Sequence, residues 1–342
     1  MKSEFMMGNK IAALAAKEAG AKIMFGYPIT PASEILETWA IMAQKNKDLS
    51  VLQTEDEMAA GFAVIGSCMA GVPAFTATAG PGNVLMQDAF SMAEALRIPT
   101  VAVIVQRGGL STSTVIYSQE EVRLTCFGGN GEGFRVVYST ANIQELYDYT
   151  IKAFKTAWQY RFPTFVLSDG YQGKTKSEVV LKKQKKQIPN VAPIFEKQQN
   201  LRNCYNLEEE ICEVITDYFE NFSKARKKIE ESSSFRTSDA EIVIIAHGIV
   251  SQAAKEAVML LREKKIKAGL FRPITLRPFP VGACRRAIRN TKRVVTVESA
   301  MGQLGELFKS ELWGENLPLT EINKPAAGFT PKEIYEAIAK IS

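Results

Sequence analysis

Three adjacent carboxylates, Glu55-Asp56-Glu57, stand where a polar stretch gives way to the Ala- and Gly-rich run from Met58 to Met69. A carboxyl group at the head of a helix is a candidate general acid or base, and it is also an ordinary helix cap. Thr54-Glu55-Asp56-Glu57 has the Ser/Thr-x-x-Glu spacing of a capping box, in which the Glu57 side chain returns to the N–H of the cap residue. Against that reading, Ala60, Gly61 and Val64 lie beneath residue 57 at helical spacings. They give an apolar, shallow face that a flat heteroaromatic ring can approach. Gly61 and Gly66 each cost a helix interior roughly 1 kcal/mol relative to Ala, which points to close packing. Burial and the neighbouring Glu55 and Asp56 raise the pKa of such a carboxyl group while the helix N-terminus lowers it, and the sequence leaves the sign open.

A second set of residues suits a small anion. Arg107 follows the apolar strand Val101 to Gln106, at the carboxyl end where open α/β sheets bind ligands, and its planar fork matches a carboxylate. A surface Arg closing a strand explains the same position. Thr30, between Pro28 and Pro31, presents a hydroxyl from a stiff turn, since Pro31 holds the residue before it in extended backbone. A turn-forming Thr is the plainer account. Gly80-Pro81-Gly82 lets backbone approach a ligand closely, and a tight strand-to-helix turn accounts for it equally well.

The elements that must position these residues follow from periodicity. Strands are expected at Ala21 to Phe25, Val51 to Gln53, Ala74 to Thr78, Val101 to Gln106 and Thr164 to Ser168. Helices are expected at Lys10 to Ala19, Met58 to Met69, Val84 to Arg97 and Ile143 to Arg161. From Lys174 to Asp239 the texture turns basic and polar, with Pro189, Pro193, one helix from Leu207 to about Lys228, and Ser232-Ser233-Ser234. A second alternation runs from Glu241 through Leu312. The expected division is 1–175, a connector at 176–238, and 239–342; the 342 residues suffice for two cores.

Composition narrows the class. With 46% hydrophobic and 23% charged residues, no apolar run of membrane-spanning length and no signal-type core, the expectation is a cytoplasmic protein that binds neither membrane nor nucleic acid. The +5 charge is spread apart from Lys182 to Lys186 and Lys224 to Lys228, both read as solvated faces. Cys68, Cys126, Cys204, Cys212 and Cys284 form no CxxC pair and read as buried free thiols. His247 is the only histidine and reads as structural, so no Ser/His/Asp or Cys/His machinery and no metal site is expected.

Glu57-x-Ala-Ala-Gly-x-Ala-x-x-Gly66 resembles the pyrimidine-binding domain of thiamine diphosphate enzymes. Seven segments in order resemble the alpha subunit of 2-oxoacid:ferredoxin oxidoreductases, of the 2-oxoglutarate or 2-oxoisovalerate type. They are Met7-Gly8-Asn9, Gly26 to Pro31, Gln53 to Glu57, Ala79 to Gly82, Gln106 to Gly109, Phe271 to Pro280 and Gly302-Gln303-Leu304. The resemblance implies a doubly wound parallel sheet plus a smaller transketolase C-terminal-like α/β domain. It implies oxidative decarboxylation of a 2-oxo acid with coenzyme A to acyl-CoA and carbon dioxide, ferredoxin taking the electrons. By resemblance Glu57 activates the thiamine diphosphate, Gly80, Pro81 and Gly82 lie against its pyrimidine, and Thr30 and Arg107, with Ser111 and Thr112, hold the substrate.

The chain lacks the Gly-Asp-Gly and downstream Asn that hold Mg2+ and the diphosphate; Ser168-Asp169-Gly170 is closest and reads as a strand-end turn. The resemblance assigns that half, with 4Fe-4S clusters, to partner subunits: a beta subunit, a gamma subunit and in some complexes a ferredoxin-like delta subunit. Leu110, Ser113 and Asn130 stand where relatives carry Pro, Gly and His, which leaves the substrate open. Two further readings stay open: a subunit of transketolase or 2-oxoacid dehydrogenase type, and a noncatalytic scaffold.

Overall fold

A computed structural model describes residues 2–182, 188, 201–315 and 317–342. The basic run beyond Lys182, and with it Pro189 and Pro193, lies outside the described residues. In chain order the first part holds β1 (Lys2–Met7), α1 (Gly8–Ala19), β2 (Ile23–Gly26), α2 (Ser33–Lys45), β3 (Ser50–Gln53) and α3 (Glu57–Met69). Next come β4 (Ala74–Thr78), α4 (Pro81–Leu85), α5 (Gln87–Ala95), β5 (Val101–Gln106), α6 (Val122–Phe127) and β6 (Val136–Ser139). Then follow α7 (Ile143–Tyr160), β7 (Thr164–Asp169), α8 (Gly170–Lys174), β8 (Lys176–Leu181) and α9 (Glu208–Ile229). The remainder is β9 (Ser232–Phe235), β10 (Ile242–Ile245), α10 (Val250–Glu263), β11 (Ala268–Pro273), β12 (Thr275–Arg277) and α11 (Val281–Ile288), closing with β13 (Arg293–Glu298), α12 (Gln303–Glu311), β14 (Leu319–Asn323) and α13 (Pro331–Ala339).

Two α/β layers result. The larger sheet runs β12-β6-β7-β5-β4-β2-β3, parallel throughout except for β12. Its central strands β4, β5 and β7 are buried along their whole length, as expected of parallel strands covered by helices on both faces. The chain steps from β2 out to β3, then returns to the other side of β2 for β4, so the winding direction reverses between β2 and β4. The smaller sheet runs β14-β13-β10-β11-β9 and reverses in the same way between β10 and β13. β1 and β8 form a separate antiparallel ribbon.

Several sequence expectations shift. Val84 to Arg97 is two helices, α4 and α5, separated at Met86. The serine run pairs as β9 against β11, its short side chains fitting an edge strand. In the stretch 176–238, β8 pairs with β1, and Phe222, Ala225 and Ile229 of α9 join the core beneath the larger sheet. Cys68, Cys126 and Cys284 are buried, whereas Cys204 and Cys212 are exposed on and before α9. Among the described residues no helix is long and apolar enough to cross a membrane.

Candidate active site

Four neighbouring strands, β3, β2, β4 and β5, deliver the candidate residues from their carboxyl ends: Glu57, Thr30, the Gly80 turn and Arg107 respectively. They converge at the reversal point between β2 and β4, the place where open α/β sheets hold ligands. The turn Gly80-Pro81-Gly82 lies between the two charged groups. A Cβ on Gly82 would fall 2.6 Å from Glu57 Oε1 and 2.1 Å from Thr78 Oγ1, and one on Gly80 would fall 2.7 Å from Arg107 Nε. Gly80 also takes φ of +51°, a conformation that side-chain-bearing residues rarely adopt. Both glycines are required by what surrounds them.

The capping box is not formed. Asp56 caps α3, its side chain accepting from the Ala59 N–H at 2.7 Å, and Thr54 Oγ1 turns to the Asp56 carbonyl instead. Glu57 is therefore the first helical residue, its carboxyl released from capping duty and buried against Gly82. Burial raises its pKa and the Asp56 charge adds to that, while its own backbone N–H and Arg107 pull the other way; the balance is upward. The face beneath it does not offer a ring platform: Ala60 and Val64 are buried, and Gly61 lets Ala89 of α5 come within 2.7 Å of where its Cβ would be. Gly66 has nothing near it and no packing reason.

Arg107 is buried, and its Nη1 donates to the carbonyl of Thr30 at 2.7 Å, while Nε has no partner. Among the described residues no carboxylate forms an ion pair with it. Thr30 itself is exposed with its hydroxyl uncommitted. Asn9, buried in α1, braces the same turn by donating to the Pro31 carbonyl at 2.6 Å and to Glu34 Oε2 at 2.7 Å. Ser111 and Thr112 stand exposed on the loop after Gly109, with no hydrogen bond linking their hydroxyls to Arg107 or Thr30. Leu110 and Ser113 share that exposed loop, whereas Asn130 sits beside α5, its N–H on Ser91 Oγ at 3.2 Å.

Sequence reasoning missed Glu121. Its buried carboxylate accepts from the Gly80 N–H at 2.9 Å, the Arg107 N–H at 3.1 Å and Asn83 Nδ2 at 2.9 Å. Around it the segment Tyr117 to Glu121 forms a strap. Ser118 Oγ donates to the Arg107 carbonyl at 2.7 Å, and Glu120 accepts the Gly109 N–H. Gln119 enters the reversal point of the smaller sheet, donating to the His247 carbonyl and accepting from the Ser299 N–H, both at 2.9 Å. No motif marks these residues; their only signal is a polar run between two apolar segments.

His247 is buried and packs its Nδ1 against Ser139 Oγ at 2.9 Å, burial pushing its pKa down to about 3. Asp169 caps α8 and is held up at about 6 by burial, as a strand-end residue outside the Glu57 and Arg107 cluster. Among the described residues no group of three or more His, Cys, Asp or Glu side chains is arranged to hold a metal ion.

The doubly wound α/β fold has counterparts among solved structures. 2-Oxoglutarate:ferredoxin oxidoreductase from Magnetococcus marinus, solved with 2-oxoglutarate, coenzyme A and succinyl-CoA bound, matches with a TM-score of 0.88 at 24% identity. It covers 99% of this chain, which spans 65% of that longer chain. An inactive split-gene transketolase tetramer matches at a TM-score of 0.64 and 15% identity, over 97% of this chain and 96% of its own. In sequence, residues 14–243 match the family described as pyruvate flavodoxin/ferredoxin oxidoreductase, thiamine diphosphate-binding, and residues 240–332 match pyruvate:ferredoxin oxidoreductase core domain II. The 2-oxoglutarate synthase subunit KorA of Methanocaldococcus jannaschii is 34% identical, over 89% of this chain and 90% of its own. The ketoisovalerate oxidoreductase subunit VorB of Methanothermobacter thermautotrophicus is 32% identical, over 90% and 89%. The chain belongs to the thiamine diphosphate-binding family of 2-oxoacid:ferredoxin oxidoreductase subunits.

Proposed function

We propose that the chain is the alpha subunit of a complex that oxidatively decarboxylates a 2-oxo acid with coenzyme A, giving acyl-CoA and carbon dioxide and reducing ferredoxin. The substrate is 2-oxoglutarate or a branched-chain 2-oxo acid, ahead of pyruvate, as in the proteins for which its relatives are named. One observation carries this reading: a buried carboxyl that caps no helix and a guanidinium with no ion-pair partner among the described residues lie on either side of one glycine turn. Residues 1–175 form the pyrimidine-binding part in this reading, and 239–342 the transketolase C-terminal-like part.

The residues present fit the pyrimidine half of thiamine diphosphate. The group, when bound, supplies the nucleophilic carbon for the ketone and the electron sink for loss of carbon dioxide. Glu57 would share its proton with a ring nitrogen, helped by burial that keeps it protonated to higher pH than an ordinary Glu. The backbone of Gly80, Pro81 and Gly82 would lie against the ring, as a glycine turn allows. Arg107 takes the substrate carboxylate through the donors left over from Thr30, and the Thr30 hydroxyl reaches the ketone oxygen. Ser111 and Thr112 border the entrance.

The diphosphate with its Mg2+ falls to a beta subunit that also carries an iron–sulfur cluster, joined by a gamma subunit and in some assemblies a ferredoxin-like delta subunit, in the cytoplasm. Supporting this, Tyr27, Leu52, Met58, Val84 and Leu85, all from elements around Glu57, are exposed apolar side chains, and β3 is an uncovered sheet edge. The test is electron delivery: the complex purified with its partners is given thiamine diphosphate, coenzyme A and each 2-oxo acid. Reduction of a viologen is expected. A correctly assembled, cofactor-loaded complex that passes no electrons from any of them returns the chain to a scaffold role.

A further inference from the structure

We propose that Glu121 is a positioning residue of the 2-oxo-acid site, holding the Gly80 turn and the backbone of Arg107 on one carboxylate so that guanidinium and turn keep a fixed separation. The inference rests on the reading of Arg107 as the substrate's carboxylate ligand.

The geometry is specific. One oxygen of Glu121 takes the N–H groups of both Gly80 and Arg107, at 2.9 and 3.1 Å, so the ends of β4 and β5 are bridged by a single atom. The other oxygen takes Asn83 Nδ2 at 2.9 Å, and Asn83 is held in turn by Gln87, whose Nε2 donates to its Oδ1 at 2.9 Å. Every partner is an N–H donor, so the carboxyl group acts purely as an acceptor; burial raises its pKa, while the hydrogen bonds from Gly80, Asn83 and Arg107 and the Arg107 charge oppose that. The bridge touches neither the guanidinium nor the open face of the site. It determines instead where the two walls stand, and Arg107 Nε lies where Gly80 leaves space.

Arg107 has no carboxylate partner among the described residues, so its side chain is located by the Thr30 carbonyl and by the backbone from which it springs. If Glu121 loses one of its acceptor sites, that backbone and the turn are free to separate. Displacement of a binding group by a fraction of an ångström is felt first in affinity, since Arg107 holds the carboxylate before and during reaction alike.

The test is Glu121→Gln in the assembled complex, where the side-chain amide turns a donor toward one of the three N–H groups. The expected result is a rise of about tenfold or more in KM for the 2-oxo acid with kcat lowered by no more than about threefold, the signature of weakened uniform binding. Amide hydrogen exchange read by mass spectrometry, independent of turnover, should accelerate in peptides containing Gly80 and Arg107 while distant peptides are unchanged. Glu121→Asp, which keeps the charge and shortens the reach, should give a KM between wild type and Glu121→Gln, and it carries the test if Glu121→Gln fails to assemble. Arg107→Lys runs in parallel. A raised KM in Arg107→Lys with an unchanged KM in the folded Glu121 variants overturns the positioning role alone. An unchanged KM in Arg107→Lys overturns the substrate site and this inference with it.

Discussion

The carbonyl of Thr30 accepts the Nη1 proton of Arg107 at 2.7 Å, joining two residues 77 positions apart in sequence. A neutral main-chain oxygen thus orients the guanidinium without cancelling its charge. Nearby Glu121 and Glu57 support the charge at a distance, burial opposes it, and the net effect holds Arg107 below the ordinary Arg value. Nε, buried against Gly80, is left without a partner, and only one of the guanidinium's N–H groups is taken by the Thr30 carbonyl.

Arg107→Lys is accordingly not a conservative change. A lone ammonium cannot hold the Thr30 carbonyl and also present a planar fork. KM for the 2-oxo acid should rise by about tenfold or more, consistent with loss of a charge-assisted bidentate contact. Steady-state kinetics with a viologen acceptor measures it.

Glu57→Gln separates chemistry from folding cleanly, because the cap is Asp56. The melting temperature should stay within a few degrees of wild type while kcat falls by about a hundredfold or more, the usual range for a lost proton-transfer group. Asp56→Ala should show the complementary result, costing about 1 kcal/mol of stability as a lost cap does. Retained turnover in Glu57→Gln would falsify the assignment of Glu57.

Gly82→Ala tests the turn itself. Its methyl would meet Thr78 Oγ1 and the Glu57 side chain at distances that atoms do not tolerate, so Glu57 must move or the turn must open. Activity should fall with Glu57 still present, and the melting temperature should drop, the cost of overpacking being about 1–3 kcal/mol. Gly66→Ala has open space and should be neutral or stabilising.

His247 gives the acid side of the stability curve. Its folded pKa of about 3 lies below the ordinary 6.5, so the folded protein binds fewer protons than the unfolded chain between those values. Its contribution is complete above pH 6.5 and is lost as pH falls toward 3, at up to about 1.4 kcal/mol per pH unit. Asp169, raised from 3.8 to about 6, has the opposite sign and loses stability as pH rises through that window. Comparing urea midpoints of wild type and His247→Gln at pH 7.5 and pH 5 isolates the histidine: the difference should move in favour of the variant at the lower pH.

Of the strands that carry the site, β4 and β5 were the most legible: they are buried along their whole length, and Ala74–Thr78 and Val101–Gln106 match the expectation residue for residue; β2 is half-buried and β3 is exposed. The cap of α3 was not, since Thr54 and Asp56 are both cap-competent and only backbone geometry chooses between them. Glu121 was invisible for a different reason: its partners lie 41, 38 and 14 residues away, and no local spacing encodes a carboxylate that closes a gap between two strand ends. β1 and β8 escaped notice because a two-stranded ribbon at the surface needs no apolar run.

β12 lies after β11 in the chain yet pairs with β6, so Thr275–Arg277 seals the edge of the larger sheet from within the smaller layer's sequence. The two layers are therefore stitched rather than strung together. Severing the gene anywhere near residue 239 would leave the first fragment with Val137 and Tyr138 unzipped and ready to recruit a stray strand, while the second fragment would carry a three-residue thread with nothing to sew.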